Sequence, residues 1–139
     1  MRSGEDAPAP DRPACTRLSA GESRYLLGLL ELGRGSEPAT QAQLARHLDV
    51  SQPSTTEMIR RLRQLGLLEP GALRLSSAGT SAALVLWGRR LAAQRLTQDV
   101  LGLDAEQARV EAERLATSAS PAFARGLVAW GASARRAAR

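Results

Sequence analysis

The feature that most constrains the fold is a polar turn followed by a capped helix with one apolar side. Residues 49–69 read DVSQPSTTEMIRRLRQLGLLE. Ser51 is a favourable N-cap, and Pro53 fits a first helical turn because its missing N–H would be unpaired there anyway. Gly66 then ends the helix near its C-cap. Inward-facing residues recur at i, i+3, i+4 and i+7: Thr55, Met58, Ile59 and Leu62.

Two more helices are predicted on the N-terminal side of this stretch. Residues 19–22 (SAGE) and 40–43 (TQAQ) both have the form of a capping box, in which side chains satisfy unpaired N–H groups at a helix start. Apolar residues follow the two boxes at helical spacing: Leu26, Leu29 and Leu30 up to Gly33, then Leu44, Ala45 and Leu48. On the C-terminal side, residues 67–69 and 73–75 flank Pro70-Gly71 and predict a tight β-hairpin.

The order helix, helix, turn, helix, hairpin predicts a winged helix-turn-helix domain over residues 18–76. A long helix is expected from Ser76 through about Leu101, then a stop at Gly102, a helix from about Ala105 to Ala116, and a last helix from Ser120-Pro121. Residues 77–131 are too apolar to stand alone, and we expect them to form a three-helix dimerisation domain that packs against a second copy. The predicted fold class is therefore mainly α. The apolar residues that recur here include Leu84, Trp87, Leu91, Phe123, Leu127, Val128 and Trp130.

Both ends of the chain are predicted to be tails. Residues 1–17 carry three prolines among alanine and charged residues, and they hold too little apolar surface to offset chain entropy. Cys15 lies in this predicted disordered tail and is interpreted as a bystander, with a redox sensor as the alternative. Residues 132–139 form a basic tail that is expected to fray.

Composition favours a nucleic-acid partner only weakly. The formal net charge is +5, and all 19 basic residues are arginine, a bias that a GC-rich genome would also produce. No apolar run is long enough to span a bilayer and no signal peptide is evident, so we expect a cytoplasmic protein with no membrane partner. One histidine, one cysteine and no glycine-rich phosphate loop argue against an enzyme.

The position of the arginines is more informative than their number. In a helix-turn-helix, the second helix enters the major groove of double-stranded DNA with its N-terminal residues toward the base edges. Ser51, Gln52, Pro53, Ser54 and Glu57 are predicted to meet bases. Thr56, Arg60 and Arg61 are predicted to contact phosphates, and Arg74 in the wing the flanking backbone or minor groove. A dimer would read a palindromic site. A helical core with no nucleic-acid role is the alternative.

The sequence resembles the diphtheria toxin repressor and manganese transport regulator family of bacterial metal-dependent repressors. The resemblance runs from about Ser19 to Gly131, and it is carried by QLARHLDVSQPSTTEMIRRLRQLGLL, RLSSAG, VLGLDAEQARVEAERL and SPAFARGLVAWG. It implies an N-terminal DNA-binding domain, a helical dimerisation domain, and control of DNA affinity by Mn(II) or Fe(II). The length resembles that of the two-domain members.

The resemblance fails at the positions that bind metal in the family. The acidic residue or methionine before the first aromatic is Arg24, and the glutamate one turn later is Leu27. The histidine and carboxylate of the long helix align with Arg90 and Gln94. The next helix should read close to HEEA[CE]RLEH, and here Arg109, Glu113, Ala116 and Thr117 stand at its ligand positions. Only Glu113 can still ligate, whereas Mn(II) and Fe(II) need several carboxylate or imidazole ligands. We therefore predict that the chain uses no metal cofactor. His47, interpreted as a surface or boundary residue, is expected to lie far from this cluster.

Two hypotheses remain for the replaced positions. Arg24, Arg90 and Arg109 could pair with Glu111 or Glu113 and hold a dimer in its DNA-binding form without metal, or they could point into solvent. The leading prediction is a homodimeric DNA-binding transcriptional regulator, most simply a repressor, that is independent of metal. The alternatives are a Mn- or Fe-dependent repressor, an interaction module that dimerises with another regulator, and a regulator that binds a small ligand where the metal site was.

Overall fold

A computed structural model describes residues 18–139, and in this range the chain folds into α-helices joined by short connections. The helices are α1 (Ala20–Leu32), α2 (Gln41–Leu48), α3 (Gln52–Gln64), α4 (Ser77–Arg95), α5 (Ala105–Ser118) and α6 (Pro121–Ala137). A π-helical turn over Leu96–Val100 continues α4. The predicted mainly α class is confirmed. The tail predicted over residues 1–17, with Cys15, lies outside the described residues.

The predicted helix starts are confirmed in atomic detail. In α1 and α2 both capping boxes are formed, with the Glu22 N–H donating to Ser19 Oγ at 3.1 Å and the Gln43 N–H to Thr40 Oγ1 at 3.1 Å. Ser51 caps α3, accepting from the N–H of Ser54. These signals are local, so the sequence alone was enough to place them.

The wing is smaller than the predicted hairpin. Among the described residues it consists of one antiparallel bridge, between Leu68 and Leu75, supported by the Glu69 N–H donating to the carbonyl of Arg74 at 2.9 Å. Pro70 has no N–H to extend the ladder, and residues 70–73 form bends instead of strand. The prediction of two paired strands was therefore wrong in extent, although the chain does reverse at this point.

Helix α1 packs in the middle of the larger core. Its buried leucines meet α2, α3 and the first half of α4, so the helix-turn-helix segment and the long helix share one core. The members of this core include Tyr25, Leu26, Leu27, Leu29, Leu44, Leu48, Ile59, Leu62, Leu67 and Leu86. A smaller core of Ala92, Ala93, Ala112 and Leu127 joins α4, α5 and α6. Alanines let these helices approach closely but bury little surface.

The C-terminal helices are longer than predicted. The basic segment over 132–139, expected to fray, is helical through Ala137, in keeping with its alanine and arginine content. Several large apolar side chains stay exposed on this part of the molecule: Leu84, Val85, Leu91, Val100, Leu101, Val110, Phe123 and Val128. Within residues 18–139, none of the helices combines the length and apolarity needed to cross a bilayer.

The junction between the wing and α4 depends on a glycine. The Ser76 N–H donates to the Leu67 carbonyl at 3.0 Å, and a Cβ added at Gly79 would lie 2.0 Å from that same oxygen. We expect Gly79→Ala to reduce the free energy of unfolding by about 1–3 kcal/mol, because backbone must move to make room. Urea denaturation would measure this loss.

A matched control is Gly126→Ala in α6, where a Cβ would meet nothing within 4 Å. This control should instead raise the stability by about 0.5–1 kcal/mol through higher helix propensity. Equal effects of the two substitutions would contradict the close approach at Gly79.

Candidate DNA-binding surface and ion-pair cleft

The N-terminus of α3 is held in place by its own side chains. Ser51 Oγ donates to Ser54 Oγ at 2.9 Å, and the buried Thr55 hydroxyl donates to the Ser51 carbonyl at 2.9 Å. Thr55 Oγ1 also lies 3.5 Å from the Tyr25 hydroxyl of α1. These contacts fix the first turn of α3 against α1, so the direction in which it projects is set by the fold.

The structure leaves every residue predicted to meet DNA exposed to solvent. Ser51, Gln52, Pro53, Ser54, Thr56, Glu57, Arg60 and Arg61 lie at the N-cap and on the outer side of α3, and Arg74 lies in the wing. The inward residues Thr55, Ile59 and Leu62 are buried, as predicted from the spacing. The geometry thus provides an accessible polar and basic surface on a rigid helix.

Gln41 joins α2 to α3, a contact that sequence patterns do not reveal. Its Nε2 donates to Thr56 Oγ1 and lies 3.4 Å from the Gln52 carbonyl. Thr56 in turn donates its hydroxyl proton to the Gln52 carbonyl at 3.0 Å. The Thr56 hydroxyl therefore already accepts one hydrogen bond and donates another within the protein.

Arg61 pairs with a buried carboxylate on α1. Its Nε donates to Glu22 Oε1 at 2.6 Å, and the Glu22 side chain is only 4% exposed whereas that of Arg61 is 61% exposed. Glu22 Oε2 accepts from the Ser19 N–H in the capping box. The Glu22 carboxylate thus joins the start of α1 to the last turn of α3, while the outer part of the Arg61 guanidinium stays accessible.

Removing this partner should destabilise the fold. Arg61→Met keeps the apolar stem but leaves the buried Glu22 carboxylate without its guanidinium, which should cost about 1–3 kcal/mol of unfolding free energy. Arg60→Met, one residue earlier on the exposed surface, should change the stability by less than about 0.5 kcal/mol. Thermal and urea denaturation of both variants would test the difference, and equal losses would show that the Glu22 contact does not stabilise α1 against α3.

Arg24 lies between α2 and α5. Its Nε donates to Glu113 Oε1 of α5 at 3.2 Å, so at this position the arginine pairs with a carboxylate, which is the first of the two hypotheses for the replaced positions. Its Nη2 donates to the carbonyl of Leu48, the last residue of α2, at 2.5 Å. One guanidinium therefore contacts both α5 and the end of the helix that precedes α3.

Arg90 pairs with a residue that the sequence did not single out. Its Nη1 contacts Glu31 Oε1 on α1, and the other oxygen of Glu31 lies 2.5 Å from His47 Nε2 on α2. The Arg90 guanidinium also stacks over the Trp87 ring at 4.4 Å, with Arg34 over the same ring at 4.6 Å.

The expectation that His47 lies far from this cluster was wrong, because α1 brings α2 and α4 together here. The sequence does place Glu31 seven residues after Arg24, and residues at this spacing lie on the same face of a helix.

A cleft of about 330 Å³ collects several of the aligned positions. Its lining residues are Glu31, His47, Arg90, Gln94, Arg109, Ala112 and Glu113. Arg109 pairs with Glu106 at 2.7 Å within α5 instead of with Glu111 or Glu113, and Glu111 lies 3.6 Å from Arg114. The hydrogen bond and charge of Arg109 lower the pKa of Glu106, and Glu106 raises the pKa of Arg109, both on the exposed surface.

The remaining aligned positions carry no metal ligand. Leu27 is 2% exposed inside the larger core, and Ala116 is buried. Thr117 donates its hydroxyl proton to the Glu113 carbonyl at 2.8 Å.

Donor chemistry at the cleft does not fit Mn(II) or Fe(II). Guanidinium groups stand at three of the aligned positions, and the Glu113 and Glu31 carboxylates already accept from arginines. In the described part of the chain, no three His, Cys, Asp or Glu side chains come together in a group that could hold a metal ion. Divalent manganese and iron need several oxygen or imidazole ligands in one place. The residues present form ion pairs in place of a coordination sphere.

Comparisons with known proteins agree with this architecture. Residues 17–71 match the family model described as iron dependent repressor, N-terminal DNA binding domain. The chain is 32% identical over 93 residues to the diphtheria toxin repressor of Corynebacterium jeikeium, covering 65% of this chain and 39% of that protein. It is 30% identical to the iron-dependent repressor IdeR of Mycobacterium tuberculosis, covering 65% and 40%. The chain thus spans about two fifths of the length of these relatives.

Solved structures show the same arrangement of helices. A manganese-dependent transcriptional repressor in complex with manganese has a TM-score of 0.72 and 25% identity, covering 80% of this chain and 52% of that one. A hypothetical protein of Sulfolobus solfataricus, with a TM-score of 0.60 and 21% identity, shares the fold over 81% of this chain and 88% of its own.

The fold and the matched segment define a chain with an N-terminal helix-turn-helix domain of the iron-dependent repressor type and a helical C-terminal part. The matches confirm the resemblance predicted from the sequence. The chain is thus similar to proteins of the diphtheria toxin repressor and manganese regulator (DtxR/MntR-like) family, in sequence over 93 residues and in the arrangement of its helices.

Proposed function

We propose that the chain is a DNA-binding transcriptional regulator, a repressor in the simplest case, that acts as a homodimer on a palindromic site without a metal. The observation that carries the DNA-binding part is the exposed start of α3. It lies within the segment that matches a DNA-binding family domain and is fixed by Ser51, Thr55 and Gln41. A rigid helix with an accessible polar N-terminus is what major-groove reading requires.

Roles on this surface follow from side-chain chemistry. Gln52 and the serines of the first turn can donate to and accept from base edges, Pro53 can pack on a thymine methyl, and Glu57 can accept from a cytosine amino group. Arg60 and Arg61 supply positive charge for phosphates, and Arg74 does so from the wing. The Arg61 guanidinium is already paired with the Glu22 carboxylate. We therefore expect its charge to contribute less to DNA affinity than the charge of Arg60.

Binding should be salt-dependent and should not need metal. A duplex can be selected from a random pool in a buffer containing EDTA, and its affinity then measured by fluorescence anisotropy across salt concentrations. The slope of log affinity against log salt is negative, and Arg60→Gln should reduce its magnitude by about 0.9 for each copy of Arg60 that contacts a phosphate. Arg125→Gln, which removes an equal charge from the exposed side of α6, should leave the slope unchanged.

Equal slopes for the wild-type protein and Arg60→Gln would exclude Arg60 from phosphate contact. An absence of salt-dependent binding to any selected duplex would favour the alternative function, an interaction module that pairs with another regulator. The exposed apolar residues of α4, α5 and α6 are the observation that supports this second candidate.

Metal independence is supported by the chemistry of the cleft. Where the family places ligands, this chain places Arg24 and Arg90, each bonded to a carboxylate. Fixed guanidinium charge opposes the approach of a divalent cation, and each carboxylate would have to give up its arginine to ligate one. The same contacts hold α1 to α4 and α5, the helices that carry metal ligands in the family. We propose that they hold the chain in its DNA-binding form at all times.

A homodimer is supported by the apolar residues that a single chain leaves exposed. Leu101 is the most exposed of them at 61%, and Phe123 is 45% exposed. The inner core of this part is built largely from alanine, so burying these larger side chains against a second copy would add most of its hydrophobic stabilisation. The two α3 helices of such a dimer would read the two halves of a palindrome.

Sedimentation equilibrium should therefore give a mass near twice the 14.8 kDa of one chain. Leu101→Glu should shift the protein toward the monomer, because it would bury a charge in the proposed interface. Leu65→Glu, at an exposed leucine of the DNA-binding segment, is the matched control and should not change the mass. A monomer at all micromolar concentrations would contradict the proposal.

A further inference from the structure

Two side chains on one face of α1 each join the C-terminal helices to the end of α2. The first connection runs from Glu113 of α5 through Arg24 to the Leu48 carbonyl. The second runs from Arg90 of α4 through Glu31 to His47. Arg24 and Glu31 are seven residues apart and so lie on one face of α1, about 10.5 Å apart along the helix. We call this arrangement the two-point bridge.

The two-point bridge contacts the C-terminal end of α2. The turn after this end sets the direction of α3, the proposed recognition helix. His47 and Leu48 are the last two residues of α2. Asp49 then turns the chain with a left-handed φ of 55°, and Ser51 already caps α3. Only two residues, Asp49 and Val50, separate the bridge from the first residue predicted to meet DNA. A displacement of the Leu48 carbonyl would therefore be passed directly to the start of α3.

Arg24 is well suited to this position by its charge as well as its reach. The last carbonyls of a helix lack intrahelical donors and carry the negative end of the helix dipole. A guanidinium satisfies the Leu48 carbonyl and complements that dipole, while its remaining N–H groups stay available for Glu113. A close approach of α1 to α2 keeps the reach short, since a Cβ added at Gly28 would lie 3.0 Å from Leu48 Cδ2.

The exposure of the Arg24–Glu113 pair favours a positioning role for Arg24 over a stabilising one. The Arg24 and Glu113 side chains are 42% and 32% exposed, and ion pairs this exposed contribute little to unfolding free energy. Directional hydrogen bonds to two different elements nevertheless restrict how those elements move relative to each other.

We propose that Arg24 is a positioning residue for DNA binding. It fixes the end of α2, and with it the start of α3, to α5. Glu31 likewise fixes the end of α2 to α4, through His47 and Arg90. The consequence for DNA affinity rests on the proposed function, whereas the positioning itself does not. In this chain a permanent side-chain bridge takes the place in which the family holds a dissociable ion.

The test compares Arg24→Met with Arg109→Met, which removes an equal charge from the neighbouring cleft but breaks only a pair within α5. Hydrogen–deuterium exchange reports on the turn directly, because the Asp49 and Val50 N–H groups donate to the Arg46 and Ala45 carbonyls. We expect Arg24→Met to speed exchange of these two amides by about tenfold, and Arg109→Met to leave them unchanged.

DNA affinity supplies the functional readout. Arg24→Met should weaken binding to the selected duplex by about tenfold with no change in the salt slope, since Arg24 acts on α2 and not on phosphate. A purely structural role would lower the melting temperature without changing affinity well below it. Arg24→Lys, which can reach one of the two acceptors, should restore part of the affinity. Glu31→Gln should weaken binding in the same way as Arg24→Met.

Each outcome bears on the proposal. Unchanged exchange at Asp49 and Val50 in Arg24→Met would overturn it. A salt slope whose magnitude is smaller by about 0.9 for each copy would also overturn it, because that would make Arg24 a phosphate contact. If the wild-type protein binds no duplex but Arg24→Met speeds the exchange, the bridge stands and the proposed DNA function fails.

Discussion

The structure depends above all on the burial of α1. Its central residues Leu26, Leu27 and Leu29 are buried in the larger core, and the helix contacts α2, α3, α4 and α5. A helix enclosed in this way has few positions left for polar side chains, and each of them must find a partner. Glu22 pairs with Arg61. Arg24 pairs with Glu113 and donates to the carbonyl at the end of α2, and Glu31 contacts both Arg90 and His47. The main ion pairs between elements are therefore consequences of where α1 sits.

This arrangement explains how the chain could work without a dissociable effector. In a metal-dependent regulator, the ion contributes its binding free energy only when it is present, so DNA affinity follows metal concentration. Ion pairs between side chains need no added ion, so they do not depend on metal concentration. Each is worth little alone, but the Arg90 pair is supported by stacking on Trp87, and the Arg24 pair by the Leu48 carbonyl. The expected result is DNA binding that does not respond to metal.

Local features of this fold could be predicted from the sequence, whereas pairings between distant residues could not. Helix starts at Ser19, Thr40 and Ser51 follow from capping chemistry within four residues, and the buried faces of α2 and α3 follow from helical periodicity. The family resemblance led to the hypothesis that Arg24 pairs with Glu111 or Glu113, but it left solvent exposure as an equal alternative. The pairing of Glu31 with His47 and Arg90 was missed because it requires knowing how α1 crosses both α2 and α4. The wing was overestimated, since hydrophobic alternation indicates strand character but does not set how many residues pair across Pro70.

We propose that side-chain ion pairs replace the metal in this chain, and a measurement of DNA affinity with and without metal tests this. Protein treated with EDTA would be titrated against its selected duplex by fluorescence anisotropy, then again with excess Mn(II) and, under anaerobic conditions, Fe(II). We expect tight, salt-dependent binding in EDTA, and we expect neither metal to change the affinity by more than about twofold, well below the usual range of allosteric coupling. Binding that appears only with Mn(II) or Fe(II) would contradict it, and would mean that the cleft rearranges into a metal site.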